Sequence, residues 1–172
     1  VLTFNDEGEV GESHHMVINP GTDADPGPVH QHGLTHEEVA AGRRFSQVLK
    51  TLDRLIDDRT LIVHNAARSW GFIVSEARRA MNAAARANRS RGRGRGRGRR
   101  RQRVGHVPRP VRIVDTLVSA RRQEVPLADT RLAAVADHYG LEAVSPVASL
   151  ERADRPAEEV ARESTLLLRD LY

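Results

Sequence analysis

The first stretch of the chain with side chains suited to chemistry is residues 60–77. An apolar run, Leu61–Val63, is followed by His64, Asn65 and Ala66 and then by helix-favouring residues. This order predicts a short buried strand, a polar turn and a helix. Functional side chains often stand at such turns because the flanking elements hold them rigidly.

The second such stretch is an arginine and glycine repeat, residues 90–103, which has eight arginines in 14 residues. Guanidinium groups pair with phosphates through two hydrogen bonds and stack on exposed bases. We therefore expect the repeat to bind nucleic acid with an affinity that falls steeply with salt. The arginines concerned are Arg91, Arg93, Arg95, Arg97, Arg99, Arg100, Arg101 and Arg103.

The repeat has no aromatic residue, so base stacking and sequence-specific recognition are not expected of it. Its glycines and like charges predict disorder when it is free. Two alternatives to nucleic-acid binding remain open, a solvated loop and a contact for an acidic protein partner.

Charge is distributed unevenly along the chain. Residues 86–112 contain 12 of the 27 basic side chains and none of the 23 acidic ones, so the rest of the chain is net acidic. The 172 residues suit one domain, and the absence of cysteine excludes disulfides and thiolate chemistry. With no long apolar run and no signal-peptide pattern, we expect a cytoplasmic protein with no membrane partner. The first residue is Val1, which suggests a fragment or a processed product.

The elements that must position these residues alternate between strand and helix, which predicts an α/β fold with a mixed sheet. Thr35 and Glu38 form a capping-box pattern that begins a helix, with an apolar face continuing to Ile56. The pattern predicts, in order, strand Val1–Phe4, strand His15–Ile18, the helix from Thr35, strand Leu61–Val63, a helix from Ser69 to about Asn88, a basic insert at about 89–110, a strand running into a helix at Val111–Leu117, helix Thr130–Tyr139 and helix Ala157–Tyr172.

Three short motifs stand among these elements: His64-Asn65-Ala66 with Phe72-Ile73, His32-Gly33-Leu34-Thr35 and Asn19-Pro20-Gly21. They resemble the motifs of the DnaQ-like 3′–5′ exonucleases, the proofreading family also named DEDDh. The resemblance implies a ribonuclease H-like mixed sheet flanked by helices, in a single domain over residues 1–172. The family opens with a central strand bearing Asp-x-Glu-Thr, and this chain begins just after it, so the central strand is expected to be missing.

The resemblance also implies a reaction that uses two divalent metal ions, Mg²⁺ or Mn²⁺, held by four carboxylates. Ser69 occupies the position of a metal-binding aspartate, Asp154 that of the histidine in the last motif, and Glu159 that of the final aspartate. A serine hydroxyl does not replace an anionic ligand, and Asp154 does not replace an imidazole. We therefore expect no intact catalytic or metal site within this chain, and Mg²⁺ or Mn²⁺ only if the full-length protein is active. Alternatively, Glu159 simply favours the positive N-terminus of its helix.

Three functional hypotheses follow. The first is a catalytically impaired relative of the exonucleases of DNA replication and repair, which binds nucleic acid, expected to be single-stranded DNA or 3′ ends. The second is an active exonuclease in which a further N-terminal segment supplies the missing carboxylates. The third is a protein-interaction module that binds an acidic partner through the arginine repeat.

Overall fold

The computed structural model describes residues 1–21, 32–92, 103–123, 127–142 and 156–172. These residues confirm the α/β order, with both antiparallel and parallel strand pairing. The elements are β1 (Leu2–Phe4), β2 (Val10–Ser13), α1 (His36–Ala41), α2 (Phe45–Ile56), β3 (Thr60–Val63), α3 (Ala66–Gly92), β4 (Arg112–Asp115), α4 (Thr116–Arg122), α5 (Leu132–His138) and α6 (Ala157–Asp170).

The N-terminal hairpin is tighter than the sequence pattern predicts. Asn5 and Gly8 close a turn with a 3.0 Å backbone hydrogen bond, and β2 pairs antiparallel with β1 directly after it. The strand predicted at His15–Ile18 is therefore wrong, because the turn returns the chain to β1 before that segment is reached. Ile18 instead forms an isolated bridge with Arg43.

The capping box at the start of α1 is confirmed. The Thr35 hydroxyl accepts a hydrogen bond from the Glu38 backbone N–H, and the Glu38 carboxylate accepts one from the Thr35 N–H. The single helix predicted from Thr35 to Ile56 is wrong, since the chain leaves the helix at Gly42 and α2 begins at Phe45. Where the helix is interrupted, the backbone forms hydrogen bonds with the segment after the hairpin. A Cβ atom at Gly42 would lie 2.8 Å from the Val17 carbonyl oxygen.

The main core lies between α2 and α3. Apolar residues spaced by three and four give α2 one buried face, formed by Val48, Leu49, Leu52, Leu55 and Ile56. On α3, Ala77, Ala80 and Ala84 pack with Leu49, and their small side chains let the two helices approach closely. The other four α2 residues form a second cluster, against which Trp70 of α3 also packs. Burying each large side chain contributes roughly 2 kcal/mol, so this contact anchors the long helix α3.

β3 and β4 form a parallel pair in simple register, from Thr60 opposite Arg112 to Val63 opposite Asp115. No strand among the described residues joins this pair to the β1–β2 hairpin. Helix α6 contacts both β1 and β3, so it packs across the two pairs. Tyr172, two residues after α6, lies against the Phe4 ring at a centroid distance of 6.4 Å. Its hydroxyl accepts a 3.1 Å hydrogen bond from Arg112.

The two ends of the basic insert lie among the described residues. At the N-terminal end the α3 helix continues through Gly92, beyond the predicted end near Asn88, and residues 103–110 are described as a loop on α2. That the insert at about 89–110 is disordered when free stays a prediction. Its remaining part, residues 93–102, lies outside the described residues.

Asp53 of α2 holds the loop at 103–110 in place. Its side chain is buried, and its Oδ2 atom accepts a 2.9 Å hydrogen bond from the His106 backbone N–H. The His106 ring lies between two carboxylates, with Nδ1 at 3.3 Å from Asp53 and Nε2 at 2.6 Å from Asp57. Burial raises the pKa of Asp53, although the N–H of His106 partly opposes that effect.

Helix α5 buries Val135 and Ala136, while Tyr139, which follows the helix, is exposed. Among the helices of the described residues, none is long and apolar enough to cross a membrane.

Gly105 provides a test of the packing between the loop and α2. It has φ +116°, and a Cβ atom there would lie 2.4 Å from Asp53 Oδ2. Gly140 also has positive φ (+72°) but has open space around it, so it is a matched control. We expect Gly105→Ala to lower the free energy of unfolding by about 3 kcal/mol and Gly140→Ala by about 1 kcal/mol, measured by urea denaturation. Equal losses would show that the loop does not pack on Asp53.

Candidate active-site region

The predicted polar turn lies at the carboxyl ends of the parallel strands β3 and β4. His64, Asn65 and Ala66 follow β3, while Asp115 ends β4 and Thr116 follows it. Because parallel strands end at the same edge of a sheet, the two segments meet there. This edge is the place where open α/β sheets usually bind their ligands.

Asp115 is the centre of this region. Its Oδ1 atom accepts hydrogen bonds from the backbone N–H groups of Asn65 (3.0 Å), Leu117 (3.0 Å) and Val118 (3.4 Å). Its Oδ2 atom accepts a 2.7 Å bond from the N–H of Ala66. One carboxylate therefore caps the N-termini of both α3 and α4, where helix N–H groups lack intrahelical partners.

The environment of Asp115 favours its charged form. Burial alone would raise its pKa, but the four backbone donors outweigh burial and hold the pKa of Asp115 below its ordinary value. The positive ends of two helix dipoles act in the same direction. Asn65 takes φ +65°, a left-handed conformation that asparagine tolerates better than most residues. That conformation turns the chain sharply from β3 into α3.

His64 links three segments of the chain. Its Nε2 atom lies 2.9 Å from the Thr130 carbonyl oxygen, and its Nδ1 atom lies 2.9 Å from the Thr116 hydroxyl. A carbonyl can only accept, so Nε2 donates to Thr130. The Thr116 hydroxyl lies within reach of both Nδ1 and the Val63 carbonyl oxygen, to which it donates at 3.4 Å. The imidazole thereby ties the turn after β3 to α4 and to the segment before α5.

Ser69 lies one turn into α3 and is exposed. Its hydroxyl donates a 3.4 Å hydrogen bond to the His64 carbonyl oxygen, within the first turn of the helix. The helix begins at Ala66 rather than after Ser69, because Asp115 caps it three residues earlier than the pattern predicts.

The structure places the remaining predicted site residues apart from this region or does not describe them. Glu159 is exposed in the first turn of α6, next to Glu158, whose carboxylate lies 4.0 Å from His15. Asp154 lies outside the described residues. Of the arginines in the repeat, Arg103 is exposed, the backbone of Arg91 belongs to α3, and the arginines from Arg93 to Arg101 lie outside the described residues.

Three residues of this region were missed by the sequence patterns: Asp115, Thr116 and Thr130. The pattern of Val111–Leu117 predicts a strand running into a helix, but this pattern alone assigns no role to Asp115. An aspartate followed by a threonine at a strand end is a usual N-cap signal, and that signal could have identified Asp115. Nothing local could have shown that the same carboxylate caps a second helix.

The fold and this region together define an α/β protein in which a strand-end carboxylate organises two helix starts. The family model described as Exonuclease matches residues 1–144, so the chain belongs to the exonuclease family. The ribonuclease H-like fold expected from the sequence is the fold of this family, and the predicted DnaQ-like membership is confirmed.

One curated relative supports the same assignment. DNA polymerase III subunit epsilon from Haemophilus influenzae is 32% identical to this chain over 69 residues. The match covers 40% of this chain and 27% of that relative. No solved structure matches the chain.

Exonucleases of this family generally depend on divalent metal ions, so the donors of this region can be tested against that chemistry. Within the described ranges, no group of three or more histidine, cysteine, aspartate or glutamate side chains could hold a metal ion. Asp115, the carboxylate at this sheet edge, has both oxygens occupied by backbone N–H groups, and Ser69 offers only a neutral hydroxyl. A hard divalent cation prefers several charged oxygens, so the described residues do not fit such an ion.

The double cap provides the prediction for this region. We expect Asp115→Asn to lower the free energy of unfolding by about 2 kcal/mol, since an amide oxygen is a weaker acceptor and its NH₂ group opposes the helix N–H groups. The matched control is Asp137→Asn on α5, where the side chain is exposed, and it should change stability little. Both variants are measured by urea denaturation at neutral pH.

The same variant should alter the pH dependence of stability. A lowered pKa means that the contribution of Asp115 is complete above its ordinary value of 3.8 and is lost as pH falls through the lowered folded value. The difference between the native protein and Asp115→Asn should therefore be constant near neutral pH and shrink in acid. A difference that grows in acid would contradict the capping role.

Proposed function

We propose that this chain is a nucleic-acid-binding module built on an exonuclease scaffold and that it does not hydrolyse phosphodiester bonds by itself. The observation that supports the proposal is that the polar side chains at the site form hydrogen bonds within the fold. Asp115 caps two helices, and His64 bonds to Thr116 and Thr130. Hydrolysis by metal-activated water needs charged ligands free to bind the metal. We infer that His64, Asn65 and Ala66 support the turn structurally and take no part in proton transfer.

The arginine repeat is the proposed nucleic-acid contact. Helix α3 carries the chain directly into it, with the backbone helical to Gly92, and Arg103 is exposed where the chain rejoins the described fold. The ordered ends fix both attachment points of the repeat on the α2–α3 side of the domain. Single-stranded DNA or a DNA 3′ end is the proposed partner, because the relative is named as a DNA polymerase subunit. A cytoplasmic location belongs to the same proposal.

A second candidate is an active exonuclease that uses Mg²⁺ or Mn²⁺ when a further strand supplies carboxylates. One observation favours it. The described residues form two separate strand pairs, and β1 of one pair and β3 of the other both contact α6. Strands adjacent in a sheet lie about 4.8 Å apart, so one additional strand between β1 and β3 could join the pairs into a single sheet.

A nuclease assay separates the two candidates. Purified protein, 5′-labelled single-stranded DNA and Mn²⁺ should give no released nucleotides above a control containing a metal chelator. Metal-dependent release of nucleotides from the DNA by the 172-residue chain would refute the proposal. The same assay on a protein extended at its N-terminus tests the second candidate, which requires activity to appear only in the longer protein.

Neutralising the repeat tests the nucleic-acid contact. Replacing the six arginines from Arg93 to Arg101 by glutamine keeps the length and leaves the ordered ends intact. Loss of six phosphate contacts should weaken binding of labelled oligothymidylate more than about 10-fold and lower the magnitude of the salt slope by about 4. The measurement is fluorescence anisotropy across a series of salt concentrations.

The matched control for this experiment is a variant in which the order of residues 93–102 is shuffled. It keeps the charge, and it should bind like the native protein because phosphate contacts carry no sequence information. Unchanged affinity in the glutamine variant would remove the repeat as the contact and leave the two alternatives, a solvated loop and a contact for an acidic protein partner.

A further inference from the structure

Helix α3 has an open face that the exonuclease family assignment does not use. The opposite face is buried, since Ala77, Ala80 and Ala84 pack against α2. On the open face lies a groove of about 710 Å³, and its lining extends from Trp70 to Arg86. At 1.5 Å per residue, this face extends for roughly 24 Å along the helix axis.

The charge of this face is positive. Arg78 and Arg86 line the groove and are exposed, and Asn82 lies between them at the same four-residue spacing. Among the described residues, neither of these two arginines forms an ion pair, whereas Arg79 pairs with Glu76 at 3.3 Å. Two guanidinium groups are therefore available for anionic groups along one side of the helix.

An aromatic ring stands at the start of the groove. Trp70 is partly buried and packs against the core cluster of α2, which holds its indole in place, while part of it lines the groove. An aromatic ring beside arginines is typical of surfaces that bind single strands, because unpaired bases stack on the ring while cations contact the phosphates.

The groove also lies between the two features already described. Its lining begins at Trp70, one residue after Ser69, and ends at Arg86, from which α3 continues to Gly92 beside the arginine repeat. We propose that this face of α3 binds single-stranded nucleic acid, with Trp70 stacking on a base and Arg78 and Arg86 contacting phosphates. The inference rests on the proposed nucleic-acid function and names the surface that accompanies the repeat.

Intrinsic fluorescence gives the most direct test, because Trp70 is the only tryptophan in the chain. Titration of the full chain with oligothymidylate should quench its fluorescence in parallel with the anisotropy signal of the labelled oligonucleotide. The variant with the repeat neutralised should still show this quenching at saturating oligonucleotide. If anisotropy shows binding of the oligonucleotide but Trp70 fluorescence does not change, the proposed α3 surface is overturned. The proposed function of the repeat then stands.

Substitutions on the open face give the second test. The double variant Arg78→Ala, Arg86→Ala should bind oligothymidylate at least about 5-fold more weakly, with a salt slope smaller in magnitude by about 1.4. The matched control is Arg122→Ala on α4, another exposed arginine, which should change affinity less than about 2-fold. Circular dichroism of the native protein, the double variant and Arg122→Ala checks that all three proteins are folded.

Every outcome of these tests decides the proposal. Equal effects of the double variant and Arg122→Ala would overturn the surface. Equal quenching by polyglutamate would assign the groove to acidic polypeptides and would also overturn the proposed nucleic-acid surface. No binding of oligothymidylate by the native protein would overturn both the surface and the proposed function.

Discussion

The Asp115 carboxylate accepts backbone hydrogen bonds from the first turns of two helices, and the geometry of the whole sheet edge depends on it. It stands at the end of β4, next in the sheet to the end of β3, so the two strands and the two helices that follow them meet at one charged group. Because the carboxylate accepts these bonds with both of its oxygens, the ends of the two strands and the starts of the two helices are joined through one side chain. His64 reinforces the same arrangement by bonding to Thr116, the first residue of α4.

A second buried carboxylate, Asp53, has a comparable effect on the other side of the domain. It receives the His106 backbone N–H and lies against the loop through Gly105, so the chain that emerges from the arginine repeat is fixed on α2. The α3 helix fixes the opposite end of the repeat. Both attachment points therefore belong to the described fold. The sequence between them has the concentrated positive charge, while the rest of the chain is net acidic.

The strongest sequence signals were those set by neighbouring residues. The capping box at Thr35 and Glu38 and the apolar face of α2 formed as predicted because both depend on contacts within one or two turns of helix. The prediction for β2 was wrong because strand pairing depends on where the preceding turn closes, and the Asn5–Gly8 turn closes early. The start of α3 was predicted too late because its cap comes from a residue 49 positions further along the chain.

By itself, the sequence determined the alternation of strands and helices, the exonuclease family and the extreme charge of the repeat, since these follow from local periodicity, short motifs and composition. Only the tertiary structure decided how the polar groups at the sheet edge are used. The pairing of Asp115 with Asn65 and Ala66, and of His64 with Thr130, joins residues far apart in sequence, and packing of the elements brings them together. Side-chain type shows what a group can do chemically, but its partners in the fold determine whether it is free to act.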